Sequence, residues 1–62
     1  MKYPKLIAEM KAHNETQETL AKLLGITQAS VSRKLTGKVE FGIGEIDIIC
    51  EHYGKDYYTL FK

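Results

Sequence analysis

Thr16 to Lys38 reads TQETLAKLLGITQASVSRKLTGK, and this stretch decides the fold. Leu20, Ala21, Leu23 and Leu24 recur at helical spacing, and Thr16 ahead of them is a good N-cap. Gly25 ends that helix, because glycine adopts positive φ without a steric penalty, and Ile26 supplies the apolar contact that often follows such a cap. Thr27 caps a second helix from Gln28 to about Leu35, and Gly37 ends it. Ala21, one turn before Gly25, is small where the two helices must approach. Two helices joined by about three residues around one glycine form the arrangement that sets the second helix into a DNA major groove.

The second helix has two unlike sides. At ~100° per residue, Val31 and Leu35 fall close together and define the buried side. Ala29 and Arg33 each lie ~160° from Val31, with Ser32 and Thr36 flanking them. Gln28 is first in the helix and projects from its tip. The outward set of Gln28, Ala29, Ser32, Arg33 and Thr36 contains no acid, whereas an ordinary solvated face mixes both signs. Gln pairs with adenine N6 and N7, Arg pairs with guanine O6 and N7, and an alanine methyl meets a thymine methyl.

Outward from this stretch the signals stay helical. Tyr3-Pro4 starts an N-terminal helix, with proline where a missing N–H costs nothing, and Leu6, Ile7 and Met10 line one side. It should end near His13-Asn14, since asparagine tolerates the left-handed conformation. A loop through Lys38, Val39 and Glu40 leads to Phe41 and to a helix from about Ile43 to Tyr53, stopped by Gly54. Asp56 can cap a last short turn, Tyr57 to Phe61. Strand signals amount to one β-branched stretch, Ile46 to Ile49, broken by Asp47. The expected fold is all-α, a compact bundle of four to five short helices in one domain spanning 1–62.

Composition narrows the function. At 62 residues the chain buries only ~60% of its unfolded surface, which excludes a large internal active site or a barrel. One cysteine cannot close an internal disulfide, and Cys50 with His13 and His52 is too few and too scattered for structural zinc. No segment approaches the ~20 apolar residues of a membrane helix, and the expectation is a cytoplasmic protein. Asp47 and Glu51 are a like-charged exposed pair, and no nucleophile–base set stands out. Catalysis, metal and cofactor are therefore not expected.

The net charge is only +1, but it is segregated. Residues 1–21 balance, Lys2, Lys5 and Lys11 against Glu9, Glu15 and Glu18. Residues 22–38 carry Lys22, Arg33, Lys34 and Lys38 with no acid. Residues 39–56 set Glu40, Glu45, Asp47, Glu51 and Asp56 against Lys55 alone. Such segregation suits one face to a polyanion and another to repelling it.

The motif resembles the helix-turn-helix of the lambda-type phage repressor and Cro family, among the Xre-like transcriptional regulators. Gln17, Leu20-Ala21, Gly25, Gln28 and Gly37 carry the resemblance, and the whole chain fits the family's five-helix domain. The resemblance implies operator binding as a homodimer, with Gln17, Thr36 and Lys38 on the backbone and Gln28, Ala29 and Arg33 facing base edges. The candidate interface is thus Gln28, Ala29, Ser32 and Arg33 for bases and Gln17, Thr27, Thr36 and Lys38 for phosphates. Members often pair a buried Arg on the first helix with a Glu near the end of the third. Met10 and Leu35 stand there, both apolar, as expected when a lone buried charge is costly. Lys34 replaces a commonly apolar residue, so its stem should pack inward while its ammonium reaches solvent or a phosphate.

The C-terminal aromatics Tyr53, Tyr57, Tyr58 and Phe61 should partly close the core. Tyr57, Tyr58 and Phe61 are candidates for a dimer patch. Ending at Lys62, the chain is expected to lack the oligomerising domain of full phage repressors. That leaves a Cro-like complete protein or an isolated DNA-binding domain. The rival function is a protein-binding module of the same fold, antirepressor-like, using the acidic helix and the aromatics.

Overall fold

Local capping chemistry places five helices, and a computed structural model describes residues 2–62. Helix α1 is Pro4–Ala12, α2 Gln17–Leu24, α3 Gln28–Thr36, α4 Ile43–Tyr53 and α5 Tyr57–Phe61. Pro4 opens α1, and Asn14 just beyond it takes φ 57°. Thr16 is extended ahead of α2, and its N–H donates to Thr19 Oγ1 at 3.2 Å. Thr27 Oγ1 accepts from Ser30 N–H at 3.1 Å, and Asp56 Oδ1 accepts from Thr59 N–H at 2.8 Å. Each such bond satisfies an amide that the first helical turn leaves without a partner.

The buried faces meet in one core. Leu6 and Met10 come from α1, Leu20 and Ala21 from α2, Val31 and Leu35 from α3. Phe41 enters from the loop, Ile49 and Tyr53 from α4, and Leu60 from α5. Helix α2 packs on α3 and α4, and α5 packs on α1 and α4, so the motif stands on a closed scaffold. Full burial of one Leu or Ile contributes ~1.5–3 kcal/mol, which makes this core the main source of stability.

The turn between α2 and α3 depends on Gly25, at φ 71°. Ile26 N–H reaches back to Ala21 O at 3.0 Å and completes the C-cap. A Cβ at Gly25 would meet nothing within 4 Å, so any penalty for a side chain is purely conformational. Gly25→Val is expected to destabilise by at least ~1 kcal/mol, since a β-branched residue fits this region poorly. The check is the thermal midpoint, and an unchanged value contradicts the placement of the turn.

Two carboxylates tie the N-terminal half to α4 and its C-terminal end. Glu9 accepts from Lys55 Nζ at 2.7 Å and pairs with His13 Nε2 at 3.0 Å. Glu15 pairs with His52 Nε2 at 2.9 Å. Lys55 first, then His13, hold Glu9 below the usual 4.5 despite partial desolvation. The Tyr53 hydroxyl, then His52, do the same for Glu15. Tyr53 is itself buried beside Glu15 without a well-aligned hydrogen bond, and burial chiefly, then that carboxylate, raise its phenol.

Depressed folded values mean that Glu9 and Glu15 contribute stability above the unfolded carboxylate range. That contribution is lost as pH falls through the folded values. Urea midpoints should therefore drop as pH falls below about 5, and less steeply in Glu9→Gln. An identical acid slope in Glu9→Gln contradicts a contribution from the Glu9 ties.

Candidate nucleic-acid interface

Helix α3 turns its two sides as the wheel requires. Val31 and Leu35 are fully buried, while Gln28, Ala29, Arg33 and Thr36 are exposed. Ser32 is half-buried at the edge of this face. Thr27 at the N-cap and Lys38 past the C-cap are exposed, and Gln17 at the start of α2 is half-buried. The Gly37 cap (φ 89°) ends the helix, and Lys38 and Val39 N–H both donate to Arg33 O at 3.0 and 3.3 Å. Arg33 and Lys38 form no ion pair among the described residues. What emerges is a two-helix unit with a tight glycine turn, its second helix presenting an exposed edge without an acid.

A family model described as a Cro/C1-type HTH DNA-binding domain matches residues 5–61. The chain belongs to that family. No curated protein and no solved structure gives a significant match. As a Cro/C1-type helix-turn-helix domain it is a DNA-binding domain of a transcription regulator.

The threonines of this Cro/C1-type domain differ in what they can offer a phosphate, which only accepts. Thr27 Oγ1 receives the Ser30 amide and keeps its own proton free to donate. Thr36 Oγ1 already donates to Arg33 O at 3.0 Å, so a phosphate bond requires its hydroxyl to turn away.

The basic charge of residues 22–38 is redistributed by folding. Lys34 departs from expectation. Its stem packs inward, but its ammonium is held by a carboxylate instead of standing free. It pairs with Glu45 Oε1 at 3.1 Å, with the two side chains only 14% and 24% exposed. It also approaches Glu40 O at 3.4 Å and lies 6.0 Å from the centre of the Phe41 ring. The same Glu45 oxygen accepts Gly42 N–H at 2.8 Å, capping α4. That backbone bond first, then Lys34, hold the Glu45 carboxyl below its ordinary value. One carboxylate thus caps α4 and anchors the end of α3. Partners eleven positions apart leave no periodic trace, so spacing could not disclose them. Lys22 meets Glu18 at 3.6 Å, but both are largely exposed, so the pair is weak and screened.

The remaining chemistry lies elsewhere. Leu23, Asp47, Ile48, Glu51 and His52 line an open groove of about 300 Å³ whose carboxylates repel phosphate. Cys50 is half-buried against the core, and burial, then Asp47 and Asp56, push its thiol up and keep it protonated. Among the described residues no group of three or more His, Cys, Asp or Glu side chains could hold a metal ion. Among them, too, no helix is long and apolar enough to cross a membrane.

Proposed function

We propose that this Cro/C1-type domain is a sequence-specific regulator of phage or prophage type, a repressor or a Cro-like protein, acting in the cytoplasm of a bacterial host. Helix α3 enters the major groove of operator DNA, and the regulator acts by occluding or recruiting polymerase. The observation that carries this reading is the exposed, acid-free edge of Gln28, Ala29 and Arg33 on a helix whose opposite side is fully buried. Gln28, Ala29, Ser32 and Arg33 read base edges, Arg33 through its fork on a guanine. Gln17, Thr27, Thr36 and Lys38 hold phosphates, fixing register and supplying salt-dependent affinity. The protein needs no cofactor and binds as a homodimer.

Tyr57, Tyr58 and Phe61 form the dimer patch in this reading. Tyr57 and Tyr58 support it by being 40% and 72% exposed with rings 5.9 Å apart. Phe61 backs them, stacked on Tyr57 at 5.6 Å while packing inward against Tyr3 and Phe41.

Titration with random duplex DNA across a salt series tests the reading. Affinity should fall steeply with salt, because released counterions scale with the phosphates neutralised. Negligible duplex affinity at every salt would favour the protein-binding module, for which the acidic α4 groove offers the surface.

A further inference from the structure

The charge-balanced N-terminal segment contributes a lysine to the end of the recognition helix. Lys2 N–H donates to Leu35 O at 2.9 Å, satisfying a carbonyl in the last turn of α3. Its side chain runs across Gly37, where an added Cβ would stand 2.8 Å from Lys2 Cδ and 3.5 Å from its Cβ. Gly37 therefore serves twice: it takes φ 89°, and it leaves room for the lysine stem. The next residue anchors the arm, since the Tyr3 ring packs 5.5 Å from Phe41 and 5.3 Å from Phe61. Lys2 is exposed and forms no ion pair among the described residues. The charged groups sharing its cleft are Glu40 and Lys62, so the cleft keeps a positive balance.

We propose that Lys2 is a phosphate-binding residue of the DNA interface, completing a cationic rim with Lys38 on either side of Gly37. The inference rests on the DNA-binding reading above and adds a residue that lies outside the helix-turn-helix. Folding removes Lys34 from the cations available to DNA by pairing it with Glu45, and it brings Lys2 from the far end of the chain. The backbone bond to Leu35 and the anchored Tyr3 hold the arm in place before DNA arrives, so little ordering entropy remains to be lost.

The test compares duplex binding across a salt series for the unmutated protein, Lys2→Gln, Lys2→Arg, Lys11→Gln and Lys38→Ala. Lys2→Gln should lower the slope of log affinity against log salt by about one and weaken selected and scrambled duplexes alike. Its thermal midpoint should be unchanged, because most of the stem over Gly37 is kept. Lys2→Arg should restore the slope. Lys11→Gln makes the same charge change about 10 Å beyond the start of α1 and should leave it unaltered.

A normal slope in Lys2→Gln overturns the assignment. So does an equal loss in Lys11→Gln, which would trace the effect to net charge alone. Lys38→Ala separates the two levels. Loss of slope there with none at Lys2 overturns this inference only, whereas no salt-dependent duplex binding by the unmutated protein overturns the DNA-binding reading as well.

Discussion

Leu35→Glu is expected to destabilise the domain by roughly 3 kcal/mol or more, and Met10→Arg added to it should recover much of the loss. Leu35 is fully buried near the end of α3, and Met10 on α1 is 4% exposed in the same core. A carboxylate introduced at Leu35 loses its hydration and finds no buried cation, so it either remains an unpaired charge or is held protonated at a cost. An arginine at Met10 gives it a partner with a fork that matches a carboxylate. Single and double variants compared by urea unfolding measure the coupling directly. A double variant no more stable than the sum of the single effects would mean that the two side chains do not meet. Burial of two apolar residues at positions where relatives often keep an ion pair fits the near-neutrality of that exchange when both partners change together.

What was legible in the sequence was what local chemistry writes. Gly25, Gly37 and Gly54 all take positive φ at helix ends. Pro4, Thr16, Thr27 and Asp56 all stand at helix starts. Caps and stops act over three or four residues, so a single chain displays them. The faces of α3 were legible for the same reason, since its period is fixed by helix geometry. Helix α3 extends to Thr36, one residue beyond its expected end, because its C-cap is set by Gly37. Interactions between distant segments were not legible. Nothing in the local pattern links Lys34 to Glu45, Glu15 to His52, Lys55 to Glu9 or Lys2 to Leu35, because the packing of whole helices brings these groups together. The consequence for the site is specific. The charge block of residues 22–38 overstates the cations free for DNA by Lys34 and, in our proposal, omits Lys2.

Arg33→Ala is expected to weaken binding to the preferred duplex by ~1–3 kcal/mol and to relax preference at one base pair, with random duplex affected less. Arg33 is exposed on α3 and unpaired among the described residues, so its guanidinium is free to present two parallel donors to guanine O6 and N7. Lys38→Ala should behave differently. In the proposed reading Lys38, just past the Gly37 cap, holds a phosphate, so its loss should weaken all sequences alike and lower the salt slope by about one. Gln28→Ala removes no charge and should alter preference while leaving the slope as it is. These signatures separate groups that read bases from groups that hold phosphates, independently of absolute affinity.

The claim that α3 reads DNA sequence is tested most directly by paired titrations of Arg33→Ala and Lys38→Ala. The duplex best selected from a random pool and its scrambled counterpart are each measured at several salt concentrations. The account predicts that Arg33→Ala loses mainly the difference between the two duplexes, while Lys38→Ala loses affinity on both and keeps their ratio. Identical behaviour of the two variants on both duplexes, or no effect of either on DNA binding, would contradict it.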